Sequence, residues 1–231
     1  LINGLVWMGE EAFMKQQIEE KLADGFTCIK LKIGAIDFDK ELQLLRFIRE
    51  HFTPKQVEIR VDANGAFDST LALDKLIQLS EFKLHSIEQP IQKNHTDRMA
   101  ELCKTTPFPI ALDEELIGVF TLAEKEQLLE KIKPQYIILK PSFVGGFRGT
   151  QEWISLAEKH KIGWWITSAL ESNIGLNAIA QWTFLQHNLM PQGLGTGALY
   201  TNNFDCPLEV SQGQLWYKKE LDWTFDFALL K

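Results

Sequence analysis

Apolar, strand-like runs recur along this chain at a nearly fixed interval, ending near Trp7, Lys32, Asp62, Glu88, Asp113, Lys140, Ser168 and Gly195. The gaps of 25, 30, 26, 25, 27, 28 and 27 residues match the roughly 30 residues of one strand–helix–strand unit. Helical spacing fills the intervals: Met14, Ile18 and Leu22; Leu42, Leu45, Ile48 and Phe52; Leu73, Leu76 and Ile77; Trp153, Leu156 and Ala157; Ile179, Ala180 and Phe184. Eight parallel strands, each covered by a helix, close into a barrel. The run that ends in Gly193-Leu194-Gly195-Thr196-Gly197 is followed by no eighth amphipathic segment. The expected fold class is therefore α/β, a modified TIM barrel of the (β/α)7β type over residues 1–205.

Residues 206–231 read differently. A turn at Gln212-Gly213 precedes an alternation in which Leu221, Trp223, Phe225, Phe227 and Leu229 are apolar and Asp222, Thr224 and Asp226 are not. That is a strand-type face without an obvious partner in the barrel. The chain opens without an initiator methionine, on Leu1-Ile2-Asn3-Gly4-Leu5-Val6-Trp7, which reads as a strand already under way.

Composition narrows the function classes. With 231 residues, 45% of them hydrophobic, the chain can bury a large core. The net charge of -7 and the dispersed basic residues argue against a nucleic-acid partner. No apolar run reaches the roughly 18 residues of a spanning helix, so no membrane partner is expected. Cys28, Cys103 and Cys206 are far apart and lack metal-ligand spacing, which fits a reduced, cytoplasmic setting.

The chemistry lies in strand parity. Outward positions of a parallel barrel strand meet helices and are apolar, while inward positions at the C-terminal end line the active site. Ile29, Leu31 and Ile33 take the outward side and leave Lys30 and Lys32 inward; the same reading sends Arg60, Asp62, Glu88, Asp113 and Lys140 inward. It also favours Asp113 over Glu114 as the inward acid. Taken singly, an acid before a turn is usually a solvated turn residue. Three carboxylates converging on one mouth repel each other unless a cation sits among them, and a hard divalent ion answers that need: Mg2+, with Mn2+ able to substitute. The second and sixth strands lie on opposite sides of an eight-stranded barrel, so Lys32 and Lys140 should face each other across a small-molecule carboxylate. This suits removal of a proton α to a carboxylate, whose enediolate needs strong electrostatic support. Lys30, two residues from Lys32, is the neighbour that would ease its deprotonation.

Lys30-Leu31-Lys32, Asp62-Ala63-Asn64, Glu88-Gln89-Pro90, Asp113-Glu114 and Leu139-Lys140-Pro141, in this order, resemble the enolase superfamily, in its muconate-lactonising subgroup. A mandelate-racemase-like member would carry a histidine in the seventh strand, and Trp164-Trp165-Ile166-Thr167-Ser168 has none. Arg60-Val61-Asp62-Ala63-Asn64, Ser168-Ala169-Leu170-Glu171-Ser172 and the Gly193–Gly197 run are similar to the o-succinylbenzoate synthase branch. The resemblance implies Mg2+ on Asp62, Glu88 and Asp113, Lys32 as the base and Lys140 as a facing cation. It further implies that Lys30 tunes Lys32, and that Arg60, Asn64, Ser168, Glu171, Ser172 and Gly195 orient substrate. The implied reaction is syn dehydration of 2-succinyl-6-hydroxy-2,4-cyclohexadiene-1-carboxylate to o-succinylbenzoate in menaquinone biosynthesis. N-acylamino acid racemisation is the alternative, and a non-catalytic barrel subunit a third reading that broken catalytic positions would favour. An N-terminal capping domain of about 100 residues is implied upstream, packing on the 206–231 segment; self-association into a homo-oligomer is left open.

Two weaker signals remain. The Gly193–Gly197 run could grip a phosphate or simply let backbone and substrate approach closely. His51, His85, His95, His160 and His187 show no ligand spacing.

Overall fold

A computed structural model describes residues 1–224, Ala198 by its backbone alone. Strands β1 (Gly4–Val6), β2 (Cys28–Lys32), β3 (Glu58–Asp62), β4 (Ser86–Glu88), β5 (Ile110–Leu112), β6 (Tyr136–Leu139) and β7 (Gly163–Ile166) pair in parallel in chain order. Helices α1 (Glu11–Ala23), α2 (Phe38–His51), α3 (Ala72–Ser80), α4 (Thr96–Thr105), α5 (Leu122–Ile132), α6 (Gly146–Lys159) and α7 (Asn173–Phe184) connect or follow them. The eighth run closes the ring through parallel bridges on both edges, Ile2 with Gln192 and Thr167 with Gly193. This is the enclosed form of the barrel that the 27-residue rhythm anticipates. Among the described residues no eighth long helix follows; a 3-10 turn at Thr196–Leu199 takes its place.

Parity divides the interior as a parallel barrel requires. Ile29, Leu31, Ile59, Val61, Ile87, Ile110, Leu112, Ile137 and Leu139 are fully buried between sheet and helices. Ala111, Ile138 and Trp165 form a separate cluster inside the ring with Tyr136 and Met190 against it. Fully burying one such aliphatic side chain contributes about 1.5–3 kcal/mol, so a one-residue slip of a strand would forfeit several such terms and bury charge as well.

Helix α5 carries a face that the apolar spacing alone does not reveal. The buried side of α5 is Lys125, Leu129 and Ile132. Its lysine Nζ donates to Gly149 O at 3.0 Å and to Glu152 at 2.8 Å, which satisfies the charge and locks α5 to α6. A capping box starts α5: Thr121 accepts from Glu124 N, and Glu124 accepts from Thr121 N.

At the other end of the chain, β8 (Leu208–Ser211) and β9 (Gln214–Tyr217) form an antiparallel hairpin around the anticipated turn at Gln212-Gly213. Gly213 O accepts from Ile2 N at 2.9 Å, tying the hairpin to the first residues. The alternation expected from Leu221 is not a strand over 221–224. Phe225, Phe227 and Leu229 lie outside the described residues.

Candidate active site

Strand ends bring six charged side chains to one mouth. Lys30, at 7% exposure, donates to Glu88 Oε2, and its Nζ lies 2.9 Å from Asp62 Oδ2. Lys32 Nζ reaches the same Asp62 oxygen at 2.5 Å and donates to Asn64 Oδ1 at 2.7 Å. Just after β6, Lys140 donates to Asp113 Oδ2. The three lysines border a cavity of about 230 Å³, shared with Leu5 and Trp7, Phe143, Thr167 to Leu170, Gly193, Gly195 and Thr196. Lys32 and Lys140 thus open onto one volume from β2 and β6.

Mutual charge sets the protonation of this cluster. Burial alone would push Lys30 down, yet the carboxylates of Asp62 and Glu88 hold its ammonium well above the ordinary lysine value. Burial would raise Asp62, but Lys30 and Lys32 keep it well below the usual carboxylate range. Glu88 is raised, by burial first and then by the charge of Asp62. Lys140, despite burial, is raised by Asp113 and Glu88. The three acids thus lie buried behind three lysines that border the cavity.

Asp62, Glu88 and Asp113 suit a hard divalent cation. They present oxygen donors from three adjacent strand ends, and Glu88 Oε1 is buried without a hydrogen-bond partner, an unfilled acceptor of the kind a metal ligand leaves behind. The counter-charges now on these acids are lysine ammoniums.

The sequence profile of the family described as Enolase C-terminal domain-like matches residues 13–220. The chain belongs to that family. It is 61% identical over 214 residues to an o-succinylbenzoate synthase of Desulfotalea psychrophila, an alignment covering 93% of this chain and 58% of that protein. The crystal structure of MenC from Desulfotalea psychrophila LSv54 superposes with a TM-score of 0.86 at 59% identity, covering 93% of this chain and 59% of that one. An N-succinylamino acid racemase of Thermus thermophilus is 32% identical over 159 residues, 68% of this chain and 40% of that protein. The chain thus spans less than two thirds of the length of these relatives.

Within this enolase C-terminal-like barrel the residues expected to orient substrate separate. Ser168 and Gly195 border the cavity with the lysines. Asn64, in the left-handed region at φ 43, lies between Lys32 and Glu114, accepting from the first and donating to the second at 3.0 Å. Glu171 accepts from Ser168 Oγ at 2.5 Å, Ala169 N at 2.8 Å and Ser142 Oγ at 2.5 Å, so its carboxylate stitches the loops after β6 and β7 together. Ser172 is exposed and stands at the N-cap position of α7, with no capping hydrogen bond from its side chain.

Arg60 is a correction. It points inward as parity requires, but its guanidinium turns toward the N-terminal end of the barrel. There it donates to Glu58 at 2.7 Å and to Pro191 O at 2.9 Å, and stacks 4.2 Å from the Trp165 ring. It lies at the foot of the ring, where β3 begins, and reaches no substrate at the mouth. Inward parity says which face a side chain takes and leaves open which end a long one bends to.

Glu114 is a group that parity passed over. It follows Asp113 on the 3-10 turn Glu114–Leu116, and the turn swings it back to the mouth, where burial and the charge of Asp113 raise its carboxyl. Gly193 has a packing reason: a Cβ there would sit 2.1 Å from Thr167 Oγ1. Outside the barrel, carboxylates of Glu126 and Glu130 on α5 gather with His160 at the end of α6, their ligand atoms within 4.8 Å of one another. Lys159 already donates to Glu126. Among the described residues no helix is long and apolar enough to cross a membrane.

Proposed function

We propose that this barrel carries out Mg2+-dependent syn dehydration of 2-succinyl-6-hydroxy-2,4-cyclohexadiene-1-carboxylate to o-succinylbenzoate, a step of menaquinone biosynthesis. The observation that carries the reading is the 61% identity to an o-succinylbenzoate synthase, in a chain whose Lys32 and Lys140 open onto one cavity. Asp62, Glu88 and Asp113 would hold the metal, with Mn2+ able to replace it. A dication there supplies Lewis acidity and neutralises carboxylate charge.

The remaining steps belong to the protein's own groups. A dication held among Asp62, Glu88 and Asp113 would attract an anionic carboxylate to the mouth. Lys32, as the neutral amine, takes the α-proton. The electron pair left on carbon spreads into the carboxylate, and Lys140 meets that charge from the opposite side of the cavity. Lys32, now an ammonium, gives its proton to the departing β-hydroxyl on the same face. The C–O bond breaks, the ring double bond forms and water leaves, so protons and electrons balance and Lys32 ends as it began. Leu5, Trp7, Phe143 and Leu170 supply an apolar wall, which weakens solvent screening of these charges. The three free thiols, Cys28, Cys103 and Cys206, suit a reducing cytoplasm.

A second reading, racemisation of N-succinylamino acids, is favoured by the same placement of Lys140, which could act there as acid or base. Offering both substrates to one purified preparation, with Mg2+ and then with chelator, tests the proposal. Chelator-sensitive appearance of the aromatic product supports it. Racemisation without dehydration, or dehydration that chelator leaves untouched, overturns it.

A further inference from the structure

Gln89 is the middle residue of Glu88-Gln89-Pro90, and none of the chemistry above uses it. It is completely buried and sits at φ 38, in the left-handed region that non-glycine residues seldom occupy. Such backbone persists only when surrounding contacts over-determine it. Here they do. Its N–H donates to Ala111 O at 2.9 Å and its carbonyl accepts from Gly65 N at 2.7 Å. Its side-chain Nε2 donates to Ile91 O at 3.0 Å, which fixes the amide so that Oε1 faces the other way. That oxygen accepts from the backbone N–H of Asp113 at 3.2 Å and of Glu115 at 3.4 Å.

One residue thereby joins three strand ends. Gly65 belongs to the turn that follows Asp62, Gln89 itself follows Glu88, and Asp113 is held by its own N–H. We infer that Gln89 is the positioning residue of the carboxylate triad, setting the spacing at which Asp62, Glu88 and Asp113 receive a divalent cation. The inference rests on the reading of those three acids as metal ligands and is independent of the substrate.

The chemistry of the residue explains why glutamine stands there. The site needs an acceptor toward two backbone N–H groups and a donor toward a backbone carbonyl, from one side chain with no charge. An amide offers both; a carboxylate would place an acceptor against Ile91 O and add a fourth negative charge behind the triad. Removing a group that orients metal ligands by hydrogen bonds commonly changes metal affinity by about 10- to 100-fold.

The test is Mn2+ binding to the full chain, followed by electron paramagnetic resonance and calorimetry, in wild type, Gln89→Met, Gln89→Asn and Thr150→Val. Methionine fills the volume without hydrogen bonds, and asparagine withdraws the oxygen by one methylene. Thr150, fully buried on α6 with its hydroxyl on Gly146 O, controls for a loss of stability alone. Measured well below each melting temperature, both Gln89 variants should bind Mn2+ about 10- to 100-fold more weakly, and Thr150→Val within about twofold of wild type. If Gln89→Met fails to fold, Gln89→Asn decides. A folded Gln89 variant with wild-type affinity, or equal weakening by Thr150→Val, overturns the role. No Mn2+ binding by wild type overturns the metal reading itself.

Discussion

Replacing Lys30 by Met probes the electrostatic balance of the mouth without changing side-chain bulk greatly. Asp62 would keep Lys32 at 2.5 Å, but Glu88 would lose its ammonium from Oε2 while Oε1 already lacks a partner. Breaking a buried pair by removing one partner costs about 3–5 kcal/mol. Glu88 is already held high by burial and would take up a proton rather than remain a bare anion, which limits the loss to the lower end, about 3 kcal/mol. For a chain of this size roughly 2–4 °C of melting temperature accompany each kcal/mol, so the variant should melt about 6–12 °C below wild type in chelator. Because the shift on Glu88 is upward, its protonated form is the stabilised one, and the gap should widen as pH rises above the ordinary carboxylate range. At one fixed Mg2+ concentration the variant, with no Lys30 ammonium competing for Glu88, should bind the dication more tightly than wild type and gain more stability from it, so Mg2+ should narrow the gap. Differential scanning calorimetry in chelator and in Mg2+ measures both. A gap under about 2 °C in chelator, or one that Mg2+ leaves unchanged, would refute the reasoning.

Two further outcomes are expected. Burial holds His85 down to about 4, against the pull of Glu58, so the unfolded chain takes up its proton near pH 6.5 while the folded chain does not. Stability present above that pH is lost as pH falls toward 4, by about 2 kcal/mol between pH 7 and 5; urea titrations of wild type should show this drop and His85→Phe should lack it. Glu171→Ala releases the loops after β6 and β7, and initial-rate kinetics should show KM for the dehydration substrate rising about tenfold, the equivalent of 1.4 kcal/mol, with kcat changed by less than about threefold.

Most of the barrel is legible because its physics is periodic. Ile29, Leu31, Ile59 and Val61 must face helices, and that alone turns Lys30, Lys32 and Asp62 inward, so the core of the site follows from the pattern of the core of the fold. Legibility ends where the pattern is interrupted. The buried face of α5 contains Lys125, which breaks the apolar stripe, although the Thr121 and Glu124 capping pair marks the start of that helix. Glu114 lies on a 3-10 turn, where alternation no longer applies. Arg60 obeys parity, but its long side chain can reach either end of the ring, and the choice depends on Glu58, two residues back on the same strand, and on Pro191 and Trp165, both distant in sequence. Gln89 could not have been read from alternation: it stands just past β4, and its left-handed backbone at φ 38 is set by partners on neighbouring strand ends.

The central claim is that Lys32 moves the proton while Lys140 supports the charge that results. Turnover of 2-succinyl-6-hydroxy-2,4-cyclohexadiene-1-carboxylate by Lys32→Ala and Lys140→Ala, set beside calorimetric binding of o-succinylbenzoate in Mg2+, tests it most directly. General-base removal costs about 10²- to 10⁴-fold, so Lys32→Ala should lose at least that in kcat while binding product within about threefold of wild type, and Lys140→Ala should be separately deficient. Turnover by Lys32→Ala within about tenfold of wild type would contradict the account and move the base elsewhere in the mouth.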